Sequence, residues 1–374
     1  MADSRRAASL ERRLGGLRAL LKQENLDALV VNHSLNRRYL SGIPARDPQP
    51  GETPGWLIIS QEAAIALITS SNYGEAVSQA PHFDVRSLQA PIYPIVGENA
   101  GRLIAGENWH RIGFEGDAMT YNWYRDIKGA MAAGQELIST RGLVEQVRGV
   151  KDEYELAVMR KAAQISSAAF NEVMASVGPG ITELELAWAI ERTAREMGAE
   201  GMAFDTIVAA GAGAAIPHHE TSDRKIERNE PVLIDMGASV EGYAADMTRT
   251  FCFGRADARL REIHQLMEAT LAATVDRIEA GVTGEYVCAG WVETLRNSPY
   301  HDPKSKGGGH GIGLAVHETP NLGPTHMRLF PGMVFAIEPA VYLSDWGGVR
   351  LEDTVLVRAK DGQRLTNATF QLEF

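Results

Sequence analysis

Leucines recur at helical spacing near the start of the chain, at Leu10, Leu14, Leu17 and Leu21, with charges between them. That period puts one apolar stripe on a helix over 5–24. Short aliphatic runs follow: LDALVV at 26–31, WLIIS at 56–60, AIALITS at 64–70 and IGFE at 112–115. These predict strands, with a further helix near 120–132. The stretch 43–55, IPARDPQPGETPG, is too rich in Pro and Gly for either element. It predicts a loop, long enough to serve as a lid.

From Asp152 the pattern becomes a long helix, with Leu156, Met159, Ala163, Phe170 and Val173 on one stripe. It stops at Gly178-Pro179-Gly180. A second helix follows Thr182, whose hydroxyl forms a capping box with Glu185. This change of character sets a boundary between a smaller α/β domain over 1–147 and an α+β domain over 148–374.

The second domain repeats itself. Gly180-Ile181-Thr182 returns as Gly281-Val282-Thr283, 101 residues later, and each precedes a helix. Asp235 and Glu338 are 103 apart, Asp246 and Glu352 are 106 apart, and His218 and His317 are 99 apart. A duplicated α+β unit would bring two acid-bearing hairpins together at a pseudo-two-fold axis.

Composition narrows the function. The chain of 374 residues has 48 acids against 37 bases, a formal net charge of −11. That argues against nucleic acid as a partner, since phosphate contacts need clustered Lys and Arg. Neither a signal-peptide core nor a stretch of membrane-spanning length is present, so a soluble cytoplasmic protein without a membrane partner is expected. Cys252 and Cys288 have no metal-ligand spacing and form no disulfide framework.

The chemistry sits in five segments, VLIDMG, AADMTRT, GGGHGIG, FAIEPAV and RLEDTVL. Each sets Asp235, Asp246, His310, Glu338 or Glu352 among apolar or strand-forming residues. A carboxylate buried in such a run is costly unless something positive meets it. Four acids and one imidazole without five basic partners predict divalent cations, and two cations sharing bridging carboxylates suit that number of ligands. Asp235 and Asp246 are expected side by side on antiparallel strands, with Thr248 supporting a ligating carboxylate. Glu338 and Glu352 flank the SDWGG turn, with Arg350 on the face of Glu352. Gly307-Gly308-Gly309 allow close backbone approach before His310. No GKS/T follows that would make them a phosphate loop. His218 and His317, near the acids in both repeats, are expected to be catalytic, and His219 is not.

Together, IPHHE, VLIDMGA, DMTRTF, GHGIGLAVHE, AIEPAVY and GGVRLEDT resemble the signature segments of proline-specific metallopeptidases: aminopeptidase P and prolidase, with the pita-bread fold. The likeness is close over 150–370. It covers the N-terminal part only in outline, including LNRRYLSG at 35–42. All five ligand types occur in order, whereas creatinase, which shares the fold, is similar to a metal-free variant lacking them. One departure is AAGAGAAIPHH, with alanines where many relatives carry a polar residue.

The resemblance implies that Asp246, His310 and Glu338 serve one metal and Asp235 the other, with Asp246 and Glu352 bridging. It implies a water shared by the two ions, Glu338 as proton acceptor and donor, and His218 and His317 steadying the carbonyl and the departing residue. Arg350 would fix the acids. The expected activity is hydrolysis of the bond before proline, in dipeptides or at the N-termini of longer peptides. The alternative is metal-dependent hydrolysis or lysis of a small non-peptide substrate on the same fold. The oxygen-rich ligand set favours manganese, with cobalt or zinc also fitting. A homodimer is implied. Arg37, Arg38 and Arg46, or a loop of a neighbouring subunit, are candidates to clamp a substrate carboxylate.

Overall fold

Helix α1 (Ala2–Gln23) buries its leucine stripe, with Leu17 and Leu21 fully inaccessible. The computed structural model describes residues 2–43, 47, 51–69, 82–88, 95–296, 298–300 and 308–374. The chain divides into two compact units, Met1–Arg148 and Gly149–Phe374.

In the first unit, α1 is followed by β1 (Ala28–Val31), α2 (Ser34–Ser41), β2 (Gly55–Ser60), β3 (Ala64–Ile68) and β4 (Asp84–Ser87). Then come α3 (Ile95–Ala105), β5 (Arg111–Glu115), α4 (Tyr121–Ala130), β6 (Glu136–Thr140) and α5 (Leu143–Arg148). The six strands form one mixed sheet in the order β4-β3-β2-β1-β5-β6. Its central strands are those that read as aliphatic runs. The edge strands β4 and β6 are largely exposed and so carry no apolar signature. Residues 44–46 and 48–50 of the lid expected over 43–55, Arg46 among them, lie outside the described residues.

The second unit opens with α6 (Glu153–Met174), capped by Asp152, and α7 (Glu183–Glu196), capped by Thr182. Both starts are complete capping boxes, with Glu155 and Glu185 as the third-position acids. Each cap is worth about 1 kcal/mol. Strands β7 (Gly201–Met202) and β8 (Ile207–Ala210) lead through a 3-10 turn (Gly211–Ala215) to β9 (Val232–Met236), β10 (Ala238–Val240), β11 (Tyr243–Ala244) and β12 (Met247–Phe251). After α8 (Ala258–Val275) and α9 (Gly284–Leu295) come β13 (Gly309–Gly311), β14 (Glu318–Leu322), β15 (Val334–Ile337), β16 (Ala340–Leu343), β17 (Gly347–Arg350), β18 (Asp353–Val357) and β19 (Gly362–Arg364). Among the described residues, no helix is long and apolar enough to cross a membrane.

The duplication is plain in the topology. Strands β8-β9-β12 lie in the same antiparallel order as β13-β15-β18, and the hairpin β10-β11 matches β16-β17. The helix-capping threonines make the same bridge in both halves, Thr182 to Lys225 and Thr283 to Arg328. In the second half, Ile263, Met267 and Leu271 of α8 pack with Phe335, Ile337 and Val355 of the sheet.

Each half holds one long antiparallel ladder broken near its middle. In the first, Met236 pairs with Met247 and, past the break, Ser239 pairs with Ala244. In the second, Ile337 pairs with Asp353 and, past the break, Ala340 pairs with Arg350. The register is unchanged across both breaks. Continued through the gaps, it sets Asp246 opposite Gly237 and Glu338 opposite Glu352.

Candidate metal centre

Three of the four acids and the histidine thus stand at or beside interruptions of regular pairing. Asp235 is still within β9, and its cross-strand partner is Thr248 rather than Asp246. The two aspartates are therefore diagonal neighbours, not the directly opposed pair that a plain hairpin would give. The two halves meet along β12 and the stretch 350–354. Thr250 Oγ1 donates to Arg350 O (2.9 Å), Glu352 N donates to Thr248 O (3.0 Å) and Asp246 N donates to Thr354 Oγ1 (3.1 Å).

Among the described residues, ligand atoms of Asp246, His310 and Glu352 all lie within 4.8 Å of one another, and all three residues are buried. His310 Nε2 is 3.6 Å from Asp246 Oδ2 and 3.6 Å from Glu338 Oε1. Asp235 lines the same cavity and is held by Arg350 Nη2. Arg350 also donates through Nε to Thr248 Oγ1 (2.9 Å), and through Nη1 to Tyr342 Oη (2.7 Å) and Pro217 O (3.3 Å). Thr248 in turn donates to Glu352 Oε2 at 2.7 Å, so one hydroxyl links the arginine to the glutamate.

Burial pushes the Asp246 carboxyl well above its usual range, and Glu352, Asp235 and Glu338 nearby push it further. Glu352 is raised well above its ordinary value, first by burial and then by Glu338 and Asp235. Glu338 is raised mainly by burial, against the pull of Arg350. Burial is the largest influence on Arg350 and works against its charged form, but Asp235, Tyr342 and Glu352 together outweigh it and hold the guanidinium above its ordinary value. Desolvation lowers both His310 and His317, favouring neutral imidazoles that can bind a cation or accept a hydrogen bond. Among the described residues, Asp235 Oδ1, Asp246 Oδ1 and Glu352 Oε1 are buried without a hydrogen-bond partner. Three orphaned carboxylate oxygens, one imidazole and one nearby guanidinium fit divalent cations better than any arrangement of protons.

The cavity over these groups has a volume of about 1050 Å³, and its outer wall includes Leu184, Trp188 and Phe204. His218 and His317 are exposed at its mouth, near enough to each other and to Glu338 to interact electrostatically. The rings of His310 and His317 lie 4.3 Å apart between centroids. His219 instead turns to Glu183, with Nε2 3.0 Å from Oε2. Gly307 is outside the described residues. A Cβ on Gly309 would sit 2.0 Å from Ala336 O, so the strand carrying His310 can press against β15 only without a side chain there. The alanines before His218 form the 3-10 turn, and Ala214 is buried against Ala209 and Leu233. They pack the fold and supply no polar group to the cavity. Tyr342 was not legible as a site residue, although it lies in the AIEPAVY segment, four residues after Glu338. Arg37, a candidate clamp, is buried in the first unit and paired with Asp47 (2.8 Å), with Nη1 on Thr53 and Gly55 O.

Residues 157–359, more than half of the chain, match the model of metallopeptidase family M24, and residues 13–150 match the creatinase/prolidase N-terminal domain. The chain belongs to metallopeptidase family M24, in the proline-specific branch that the sequence motifs indicate. An uncharacterized peptidase of Bacillus subtilis is 31% identical over 96% of this chain and 99% of its own length. Among solved structures, an Xaa-Pro dipeptidase from Bacillus anthracis superposes with a TM-score of 0.89 at 29% identity, covering 98% of this chain and 100% of that one. An X-Pro aminopeptidase from Thermotoga maritima gives 0.83 at 29% identity, covering 94% and 98%. The two-domain α+β architecture with a pita-bread C-terminal unit is shared with these neighbours.

Proposed function

We propose that this protein hydrolyses the peptide bond preceding proline, using two divalent cations held by Asp235, Asp246, His310, Glu338 and Glu352. The observation that carries this reading is the set of buried carboxylates around one cavity, three of whose oxygens lack any other partner. Relatives across nearly the whole length of the chain, named for Xaa-Pro bonds, supply the substrate class. When bound, the cations would supply a water acidic enough to attack at neutral pH and would polarise the scissile carbonyl.

The chain's own residues do the rest. Asp246, His310 and Glu352 lie within reach of one ion, Glu338 stands beside His310, and Asp235 in the same cavity would complete the ligand set for a second, with Asp246 and Glu352 shared as the family resemblance implies. Glu338 is about a third exposed by side chain, and its raised proton affinity suits it to take a proton and pass it to the leaving nitrogen. That nitrogen is a tertiary amide without its own N–H, so it must be protonated as it leaves. His218 and His317, which line the cavity and are exposed, would donate to the carbonyl oxygen and the departing proline. Arg350 holds Asp235 in place.

The oxygen-rich donor set favours manganese over cobalt or zinc. The reading includes a homodimer, as the family resemblance implies, and covers both dipeptides and the N-termini of longer peptides. A panel of Xaa-Pro dipeptides and tripeptides, assayed with metal analysis and added manganese, tests it. Turnover confined to bonds before proline, with two ions per chain, is the expected result. Bound metal without turnover of any member would overturn it in favour of a small non-peptide substrate.

A further inference from the structure

Among the described residues, the second unit holds two further fully buried ion pairs beside the acid cluster, Arg249 with Asp353 next to Glu352, and Lys151 with Glu318 next to His317. Lys151 Nζ lies 2.9 Å from Glu318 Oε1, and the two side chains are 1% and 4% exposed. Glu318 directly follows His317, and β14, which it starts, pairs Glu318 with Gly311 of β13. The loop 312–317 therefore joins His310 to His317, and the Glu318 carboxylate fills it. A Cβ on Gly313 would sit 2.3 Å from Glu318 Oε1, and Ala315 N faces Oε2 at 3.4 Å. The loop closes on itself through Gly313 N to Ala315 O (3.0 Å) and is tied to Ala244, two residues before Asp246, through Gly313 O (2.8 Å). His310 is held by the carbonyl oxygens of Gly311 and Val316, both in or beside this loop. At the other end, Lys151 is braced by its own N–H on Gly332 O (2.9 Å), and Gly332 N donates to Val357 O (3.0 Å).

We propose that the Lys151–Glu318 pair is a positioning device that sets the loop carrying His317 and buttressing His310. A general stabilising role fits the chemistry less well, because a buried ion pair seldom beats well-packed apolar side chains of the same volume. What it adds is direction. One ammonium point charge, fixed at the entrance to α6, fixes the carboxylate inside the short loop 312–317, against the one glycine there, Gly313. Lys151 and Glu318 touch neither substrate nor cation; they act through the two imidazoles.

This inference rests on the peptidase reading of the site, and its test separates the two. In the Lys151→Met/Glu318→Leu double variant both charges are removed together, so the protein should fold and load metal. We expect kcat per metal-loaded chain to fall at least about tenfold with KM changed less than about threefold, since the group displaced acts in the transition state. Lys151→Arg, which keeps the charge, should recover most of that loss. Crystal structures should show the His310 and His317 rings displaced from their 4.3 Å spacing in the double variant. A folded double variant with unchanged kcat and unchanged ring spacing overturns the proposal. If the double variant does not fold, Glu318→Gln decides the matter by the same two readouts. If the wild type cleaves no Xaa-Pro bond, the function assigned to the site fails, and the ring spacing alone still decides whether the pair positions the loop.

Discussion

The Thr248 hydroxyl donates to Glu352 Oε2 at 2.7 Å, and Thr354, its counterpart in the second half, accepts from Asp246 N and donates to Asp246 O at 2.8 Å. Each central acid of the cluster is thus steadied by a threonine from the opposite half. Thr248→Val keeps the shape and removes the donor. Because outer partners of this kind tune affinity by about 10–100-fold, manganese binding should weaken by that order and Thr248→Ser should restore it. Isothermal titration of the three proteins measures this, and equal affinities would show that the hydroxyl does not orient Glu352.

Glu338→Gln should retain metal while kcat falls by about 10²–10⁴-fold, the range expected when a proton carrier is lost. The carboxamide can still offer an oxygen to a cation but cannot shuttle a proton. Metal content and turnover measured on the same sample separate the two roles. Near-normal turnover would refute the assignment.

Asp246→Ala removes an acid that burial and three neighbouring acids make costly. The metal-free variant should melt at a higher temperature than the metal-free wild type, yet bind fewer ions per chain. Manganese should raise the Tm of the wild type and have little effect on the variant, since ligands stabilise only the state that binds them. Calorimetry with and without chelator checks both signs.

In the first unit, Glu115 gives a pH effect of its own. Its carboxyl is pushed up to about 7 by burial and by Glu145, despite hydrogen bonds from His33 N, Asn36 Nδ2 and Asn32 N. Between its ordinary value of 4.5 and about 7, the folded protein binds a proton that the unfolded chain releases. This group's contribution is therefore greatest below pH 4.5 and is lost as pH rises to about 7. The loss is on the order of 3 kcal/mol. Glu115→Gln should flatten the decline in stability over that interval. Parallel denaturation curves for variant and wild type from pH 5 to 8 would count against it.

The acids of the site were legible because a carboxylate amid apolar strand residues has few explanations, and because the repeat spacings agreed. The capping box at Thr182 was legible because it is local. What the sequence concealed was long-range. Asp235 and Asp246 do lie on neighbouring antiparallel strands, but the register sets Asp235 opposite Thr248 and so diagonal to Asp246, a fact of pairing that composition does not record. Arg37 reads as an available cation, but the short helix α2 turns it inward to Asp47 and Thr53. Lys151 and Glu318 look like ordinary surface residues until folding brings them together. Edge strands β4 and β6 escaped notice because water, not a core, faces them.

The breaks in the two ladders have one more consequence. Neither half offers more than part of a cation's coordination sphere, and the stretch 252–257 that joins them carries none of it. A chain cleaved there into two polypeptides should regain cation-dependent activity only when both pieces are mixed, so reassembly itself could be followed as a gain of catalysis.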